Sequence, residues 1–190
     1  MNKQIIFIGP ICVGKTTIGN LIAESLNKKS VSLDDIADEY YKQNGYEVSQ
    51  HKNILQNEGK LKGYQYWWPS LAYAASKVVQ DYPDSVIDFG AGHSQYENKD
   101  LFESMKQAIP LDSYVIFLLP SPDIERSISI IRERSMKSRK ADWTLDGYDF
   151  IEQWIVDDCN HILADKIIYT ENKTPIQCRD EILEILQHES

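Results

Sequence analysis

The most informative segment of the chain is Ile5-Ile6-Phe7-Ile8-Gly9-Pro10-Ile11-Cys12-Val13-Gly14-Lys15-Thr16-Thr17. Its first four residues are apolar and predict a buried strand, and the next eight have the pattern G-x-x-x-x-G-K-[ST]. The two glycines permit backbone angles at which successive N–H groups turn inward around an anion. The helix that follows directs its positive N-terminal end at the same anion. The stretch therefore predicts a strand–loop–helix unit that binds the phosphates of a nucleotide.

This loop supplies the predicted nucleotide-binding residues. They are Gly9, Cys12, Val13, Gly14, Lys15, Thr16 and Thr17. In loops of this type the lysine contacts the β- and γ-phosphates and the hydroxyl residue ligates Mg²⁺. We therefore expect ATP and Mg²⁺ as cofactors, with Lys15 in catalysis and Thr16 as a metal ligand.

Composition limits the possible partners. The chain has 190 residues, with 20 basic and 29 acidic side chains and a net charge of -9. An acidic protein is a poor partner for duplex nucleic acid, which must be neutralised by cations. The three cysteines are far apart in sequence, and no apolar run is long enough to span a bilayer. We expect one domain over residues 1–190, a cytoplasmic location, and no nucleic-acid or membrane partner.

Five short apolar runs predict strands, and helical periodicity fills the intervals between them. The runs are residues 5–8, 31–33, 86–89, 114–119 and 167–169. This alternation predicts an α/β protein with the three-layer P-loop NTPase fold and a five-stranded parallel sheet. Two segments depart from the alternation, residues 34–69 and 132–146. We expect an acceptor-binding insert in the first and a lid in the second, because ligands bind at the carboxyl ends of the strands.

Aspartates follow two of the predicted strands. Asp34 and its neighbour Asp35 follow the second strand, where a carboxylate could orient or deprotonate an acceptor hydroxyl, contact Mg²⁺ through water, or cap a helix. Asp88 ends the third strand, as does the carboxylate that supports Mg²⁺ in P-loop enzymes. A buried aspartate bonded to neighbouring N–H groups is the alternative for Asp88. We assign Asp34 to catalysis and acceptor binding, and Asp88 to the metal.

Other candidates lie in the loop after the third strand and in the two irregular segments. Gly90, Ala91 and Gly92 permit close approach of a ligand, and His93 is either a general base or an ordinary loop histidine. The lid segment contains Arg132, Arg134 and Arg139, which could close on a triphosphate or form a solvated helix end. The insert is rich in aromatic residues, which either line a pocket or form core; we assign Tyr66 and Trp67 to acceptor binding.

The run from residue 5 to about 39 resembles shikimate kinases, within the nucleoside monophosphate kinase-like group. The resemblance implies the fold, ATP use and phosphoryl transfer to a hydroxyl, with the acceptor at Asp34 and near Gly90-Ala91-Gly92. The family holds the shikimate carboxylate with an arginine in the insert and another before the last strand. This chain has no arginine in residues 34–81 or 142–167. Lysine is a poor substitute for the arginine fork, so we expect an acceptor other than shikimate.

The sequence thus predicts an ATP-dependent kinase that phosphorylates a small hydroxylated molecule. Two alternatives remain at this stage. One is a nucleoside, nucleotide or antibiotic kinase of the same fold, and the other is a regulatory ATP-binding module without catalytic activity.

Overall fold

The computed structural model describes residues 3–188. Within them, seven strands form: β1 (Ile5–Ile8), β2 (Ser30–Ser32), β3 (Val86–Asp88), β4 (Tyr114–Leu119), β5 (Thr144–Leu145), β6 (Tyr148–Asp149) and β7 (Lys166–Tyr169). The helices of the same range are α1 (Lys15–Leu26), α2 (Leu33–Gln43), α3 (Val48–Asn57), α4 (Lys60–Asp81), α5 (Lys99–Ala108), α6 (Ile124–Arg139), α7 (Phe150–Val156), α8 (Asp158–Leu163) and α9 (Pro175–His188).

The main sheet has five parallel strands in the order β2-β3-β1-β4-β7, which confirms the predicted fold class. Its central strand β1 is buried along its whole length, as expected for a strand covered on both faces. From β1 the chain crosses to the β2 edge of the sheet, and each later crossover leads back toward the β7 edge. Right-handed crossovers therefore place α1 on one face and the later helices on the other, and α9 returns to pack against α1.

The strand register brings the predicted site residues to one edge of the sheet. Phe7 of β1 and Ser32 of β2 both pair with Asp88 of β3. The phosphate loop leaves the carboxyl end of β1, and α2 leaves the carboxyl end of β2. The candidate residues of three separate sequence segments are therefore neighbours at the carboxyl edge.

The predicted insert, residues 34–69, is helical rather than irregular. It contains most of α2, all of α3 and the first half of α4, which continues through Pro69 to Asp81. Proline inside a helix removes one backbone hydrogen bond, and here packing of α4 against α2, α3 and α5 compensates. Because α4 is one continuous helix, Tyr64, Trp67 and Leu71 lie on the same face.

The predicted lid, residues 132–146, divides into two elements. Helix α6 continues to Arg139, and a short hairpin of β5 and β6 follows. The hairpin turn is Asp146-Gly147, with φ angles of 53° and 82°. Positive φ at both central residues is characteristic of a type I′ turn. In residues 3–188 the chain has no helix that is both long and apolar enough to cross a membrane.

Candidate active site

The phosphate loop is shaped by three residues with positive φ: Gly9 at 133°, Cys12 at 55° and Gly14 at 112°. At Gly9 a side chain is also excluded by packing, because a Cβ would lie 2.5 Å from the Leu118 carbonyl oxygen. Gly14 is the N-cap of α1, and no side chain caps the helix. The first turn of α1 also lacks an acidic residue. Its N-terminal N–H groups are therefore left for an anion.

Lys15 lies inside this loop. Its Nζ donates to the carbonyl oxygens of Gly9 at 3.0 Å and Pro10 at 2.9 Å. Burial lowers the pKa of Lys15, while the charges of Asp88 and Asp34 act in the opposite direction. The ammonium group is thus largely removed from solvent, next to the cavity in front of the loop.

Thr16 and Asp88 form a pair suited to a divalent cation. The Thr16 hydroxyl donates to Asp88 Oδ2, while Asp88 Oδ1 is buried without a hydrogen-bond partner. Burial raises the pKa of Asp88, and Lys15 and Thr16 oppose that shift. A magnesium ion typically takes one or two protein ligands and completes its shell with phosphate and water oxygens. The pair fits such a site; residues 3–188 contain no group of three His, Cys, Asp or Glu side chains that could hold a metal alone.

A cavity of about 470 Å³, here called the phosphate cavity, lies in front of the loop. Of the predicted residues it is lined by Cys12, Gly14, Lys15, Thr16, Thr17, Asp34, Asp88, Ala91, Arg134 and Arg139. Arg134 reaches the loop itself, because its Nη1 donates to the Cys12 carbonyl oxygen at 3.4 Å. Lys137 and Ser138 also line it, and neither was among the predicted site residues.

Arg132 does not line the phosphate cavity. It pairs with Asp149, the last residue of β6, and donates to the Asp142 carbonyl oxygen at 3.0 Å. These contacts connect the hairpin to α6. Of the three predicted lid arginines, the structure brings Arg134 and Arg139 to the cavity and pairs Arg132 with the hairpin instead.

A second cavity of about 400 Å³, here called the acceptor cavity, adjoins the first. Ile11, Asp34, Ala91 and Arg139 line both cavities. Asp34 lies in the first turn of α2, whose N-cap is Ser32, so Asp34 is not the cap residue that the sequence allowed. Asp35 lines neither cavity. The geometry therefore favours Asp34 over Asp35 as the carboxylate between the two spaces.

His93 lies behind Asp34 in the wall of the acceptor cavity. It is 3% exposed, its Nε2 is 2.7 Å from the Tyr41 hydroxyl, and its Nδ1 is 3.8 Å from Asp34 Oδ1. Burial lowers the pKa of His93 to about 4, although Asp34 and the Gly90 backbone partly offset that effect. Gly90 does not line a cavity, but a Cβ at this position would collide with Asp34. Its lack of a side chain allows Asp34 and His93 to approach each other.

Aromatic side chains form most of the remaining wall of the acceptor cavity. Trp67 and Gly92 line it as predicted. Tyr66 does not; its hydroxyl accepts from the Glu47 amide at 3.3 Å and donates to Gln50 at 3.1 Å, on another face of α4. The sequence analysis did not single out Asp38, Tyr41, Trp143 or Trp154, which also line the cavity. Helical spacing from Trp67 and Asp34 identifies Tyr64, Leu71 and Asp38 as their neighbours, and this was the available signal.

A third cavity of about 290 Å³ adjoins the phosphate loop on its other side. Val13, Thr17 and Arg134 line it together with Thr170, Lys173 and Pro175. The last three come from the segment after β7 and the start of α9, which the sequence analysis did not connect with nucleotide binding. Gly9 lines none of these cavities and contributes through its carbonyl contact with Lys15.

The strand order, the loop and the paired cavities define a protein with the P-loop kinase fold. The chain is similar in structure to a shikimate kinase from Acinetobacter baumannii in complex with shikimate, with a TM-score of 0.63, 19% identity, and coverage of 98% of this chain and 92% of that one. For the shikimate kinase of Aquifex aeolicus vf5 the TM-score is 0.57 at 23% identity, with 98% and 97% coverage. A gluconokinase from Sinorhizobium meliloti 1021 gives 0.53 at 13% identity, with 100% and 98% coverage.

In sequence, the chain is 25% identical over 160 residues to the pentafunctional AROM polypeptide of Candida glabrata. The match covers 83% of this chain and 9% of that relative, so the chain spans a small part of the relative's length. No protein-family model matches the chain. These comparisons confirm the predicted resemblance to shikimate kinases and other P-loop kinases in fold.

Proposed function

We propose that this protein is an ATP-dependent kinase that transfers the γ-phosphoryl group to a hydroxyl of a small molecule, and that its acceptor is not shikimate. The observation that carries the proposal is the junction of the two cavities. A cavity bordered by the phosphate loop meets an aromatic cavity at Asp34, with Arg139 beside it. A phosphate and a hydroxyl can meet there next to a carboxylate, which phosphoryl transfer requires.

The nucleotide end of the site is the better-defined part. The N–H groups of the loop and of α1 would bind the β- and γ-phosphates, and Lys15 would leave the loop carbonyls to contact them. Arg134 and Arg139 would neutralise charge on the transferring group. The nucleotide base would occupy the third cavity, between Val13 and Pro175.

Thr16 and Asp88 would hold Mg²⁺, which when bound draws charge from the phosphate oxygens. The orphaned Asp88 Oδ1 supports this role, because a buried oxygen without a partner is costly unless a ligand satisfies it. The alternative of a buried aspartate satisfied by backbone N–H groups is not supported, since within residues 3–188 the hydrogen bond to its other oxygen comes from the Thr16 hydroxyl.

At the acceptor end, Asp34 would accept a hydrogen bond from the reacting hydroxyl. The hydroxyl oxygen forms a bond to the γ-phosphorus as the bond from phosphorus to the β-phosphate oxygen breaks, ADP leaves, and the hydroxyl proton passes to Asp34. His93, kept neutral by burial, is near enough to position this carboxylate. Arg139 borders both cavities and would contact the moving phosphoryl group.

The test is a screen of metabolites and antibiotics with labelled ATP, in which mass spectrometry identifies any phosphorylated product. We expect acceptor-dependent ADP release by the wild-type protein and its loss in Lys15→Met, which keeps the length of the side chain but not its charge. Thermal melting of Lys15→Met controls for damage to the loop. Turnover that responds only to a protein partner would favour a regulatory module, and full turnover in Lys15→Met would refute the assigned nucleotide site.

A further inference from the structure

We infer that the acceptor carries a positively charged amino group as well as its reacting hydroxyl, with the hydroxyl at Asp34 and the amino group at Asp38. This inference rests on the proposed function and deepens it by naming the substrate class. It is derived from the charges, the spacing and the aromatic surface of the acceptor cavity.

The walls of the two cavities differ in charge. The phosphate cavity has four cationic residues in its wall, Lys15, Arg134, Lys137 and Arg139, beside the carboxylates of Asp34 and Asp88. Within residues 3–188, the charged side chains that line the acceptor cavity are Asp34, Asp38 and Arg139. Because Arg139 is shared with the phosphate cavity, a bound triphosphate would compete for its charge. The remainder of the acceptor cavity is negatively charged.

The spacing of the two carboxylates sets a distance between the groups of the acceptor. Asp34 and Asp38 are one turn apart on α2, and such residues are neighbours separated by about 5–6 Å between Cβ atoms. Burial raises the pKa of Tyr41 far above its usual value, and the nearby charges of Asp34 and Asp38 raise it further. A hydroxyl and an amino group about 5 Å apart on one small molecule could bind the two carboxylates at once.

Aromatic rings line the same cavity as these carboxylates. Tyr41 and Trp67 pack edge to face with their centroids 5.3 Å apart, and Tyr64 also packs edge to face against Trp67 at 6.2 Å. Trp143 and Trp154 are also in contact, with centroids 5.3 Å apart. Aromatic faces attract cations through the ring quadrupole, so carboxylates set among such rings favour an ammonium group over an anion.

One polar atom in the wall also indicates that a ligand completes this cavity. Trp67 Nε1 is buried and has no hydrogen-bond partner among residues 3–188. Buried polar atoms are normally paired, and an oxygen of a hydroxylated amine could accept a hydrogen bond from this N–H group.

The experiment compares hydroxylated acceptors that carry a positive, neutral or negative group. The probes are 2-deoxystreptamine and glucosamine, their N-acetylated forms, and the anions gluconate and shikimate, each with Mg-ATP and the full chain. Phosphate transfer is followed by ADP release and mass spectrometry, and binding by quenching of tryptophan fluorescence. We expect an amine to have a kcat/KM at least about tenfold above that of its N-acetylated form, because charge-assisted contacts are lost on acetylation.

Asp38→Asn tests the assigned carboxylate, and Asp35→Asn is the matched control on the same helix outside both cavities. Removing the charge of Asp38 should raise KM for the amine about 10- to 100-fold and leave that of the N-acetylated form within about twofold. Asp35→Asn should leave both unchanged.

The outcomes separate this inference from the proposed function. Preferential transfer to a neutral or anionic probe, or an unchanged KM for the amine in Asp38→Asn, would overturn the inference and leave the kinase proposal intact. The same conclusion would follow if no amine of the panel were bound or phosphorylated while Mg-ATP was bound. Absence of Mg-ATP binding would refute the proposed function itself.

Discussion

The burial of His93 predicts that the stability of the protein falls as the pH is lowered below about 6.5, through this one side chain. The pKa of His93 is lowered to about 4 in the folded protein, against a usual value of 6.5. Between these values the unfolded chain binds a proton that the native protein excludes. The contribution of His93 to the free energy of unfolding is therefore fully present above the pKa of the unfolded chain. It is lost as the pH falls toward the pKa of the folded protein.

The magnitude follows from the size of the shift. A shift of the pKa from 6.5 to about 4 corresponds to about 3 kcal/mol when the native site is compared with the unfolded chain. Proton linkage gives a loss of about 1 kcal/mol at pH ~5.5 and about 2–3 kcal/mol at pH ~4.5, relative to pH ~7.5. Asp34 and Lys15 face the same imidazole with opposite effects on its pKa, and both effects are included in this value.

The assay is urea unfolding of the wild-type protein and of His93→Gln over this pH range. Glutamine can keep a hydrogen bond to the Tyr41 hydroxyl but does not titrate. The free energy of unfolding of the wild type, minus that of His93→Gln, should therefore fall by about 2–3 kcal/mol between pH ~7.5 and pH ~4.5. His188→Gln, at an exposed histidine near the end of α9, is the control and should reproduce the wild-type pH dependence.

A constant difference between wild type and His93→Gln over that range would refute the reasoning. It would mean that His93 ionises in the folded protein as readily as in the unfolded chain. The position of His93 in a closed wall beside Asp34 would then be incorrect, and its proposed role in positioning that carboxylate would be lost with it.

Two further predictions concern catalysis and the lid. Asp34→Asn should lower kcat by about a hundredfold or more with little change in Mg-ATP affinity, whereas Asp35→Asn should not; a loss of Mg-ATP affinity instead would make Asp34 a metal residue. Hydrogen exchange over residues 132–146 should slow when ATP and acceptor bind together, and Arg139→Ala should reduce turnover far more than melting temperature, since its side chain lines both cavities rather than the core. Unchanged exchange together with full activity in Arg139→Ala would mean that Arg139 belongs to a solvated helix end and takes no part in the reaction.

The sheet could be predicted from the sequence because its information is local. Each central strand is a short continuous apolar run, and the phosphate loop has a pattern that fixes its position after β1. The second strand was placed one residue too far, because Leu33 is apolar but begins α2 after the N-cap Ser32. Apolar character alone does not distinguish the last residue of a strand from the first buried residue of a helix.

The helical insert and the hairpin were harder to predict from the sequence. Pro69 is expected to end a helix, yet α4 continues through it to Asp81 and packs against α2, α3 and α5. The hairpin has strands of only two residues, too short for an alternating pattern, although Asp146-Gly147 is a recognised turn signal. In both places the structure depends on tertiary contacts, and these contacts cannot be predicted from local patterns in a single sequence.

Much of the acceptor site depends on which helix face points inward. Tyr66 and Trp67 are adjacent in sequence, yet only Trp67 lines the cavity. Likewise Arg132 bonds to the hairpin while Arg134, two residues later, contacts the phosphate loop. Residue type identified these candidates, but only the orientation of α4 and α6 separates those that face the ligand from those that support the fold.

The phosphate-binding and acceptor-binding parts of the proposed site lie on different elements of the fold, so one fold can serve different acceptors. The phosphate loop, Lys15 and the pair Thr16–Asp88 are attached to β1, α1 and β3 at the centre of the sheet. The acceptor cavity is formed mainly by α2, α4 and the loop after β3, and by the segment around Trp143. Side chains there can change without altering the phosphate loop, and neighbours of this fold include a shikimate kinase and a gluconokinase. In this chain residues 34–69 contain no arginine, and Asp34 and Asp38 line the acceptor cavity together with aromatic side chains and Arg139. Carboxylates at these positions disfavour an anionic acceptor, which is the physical reason for proposing an acceptor other than shikimate.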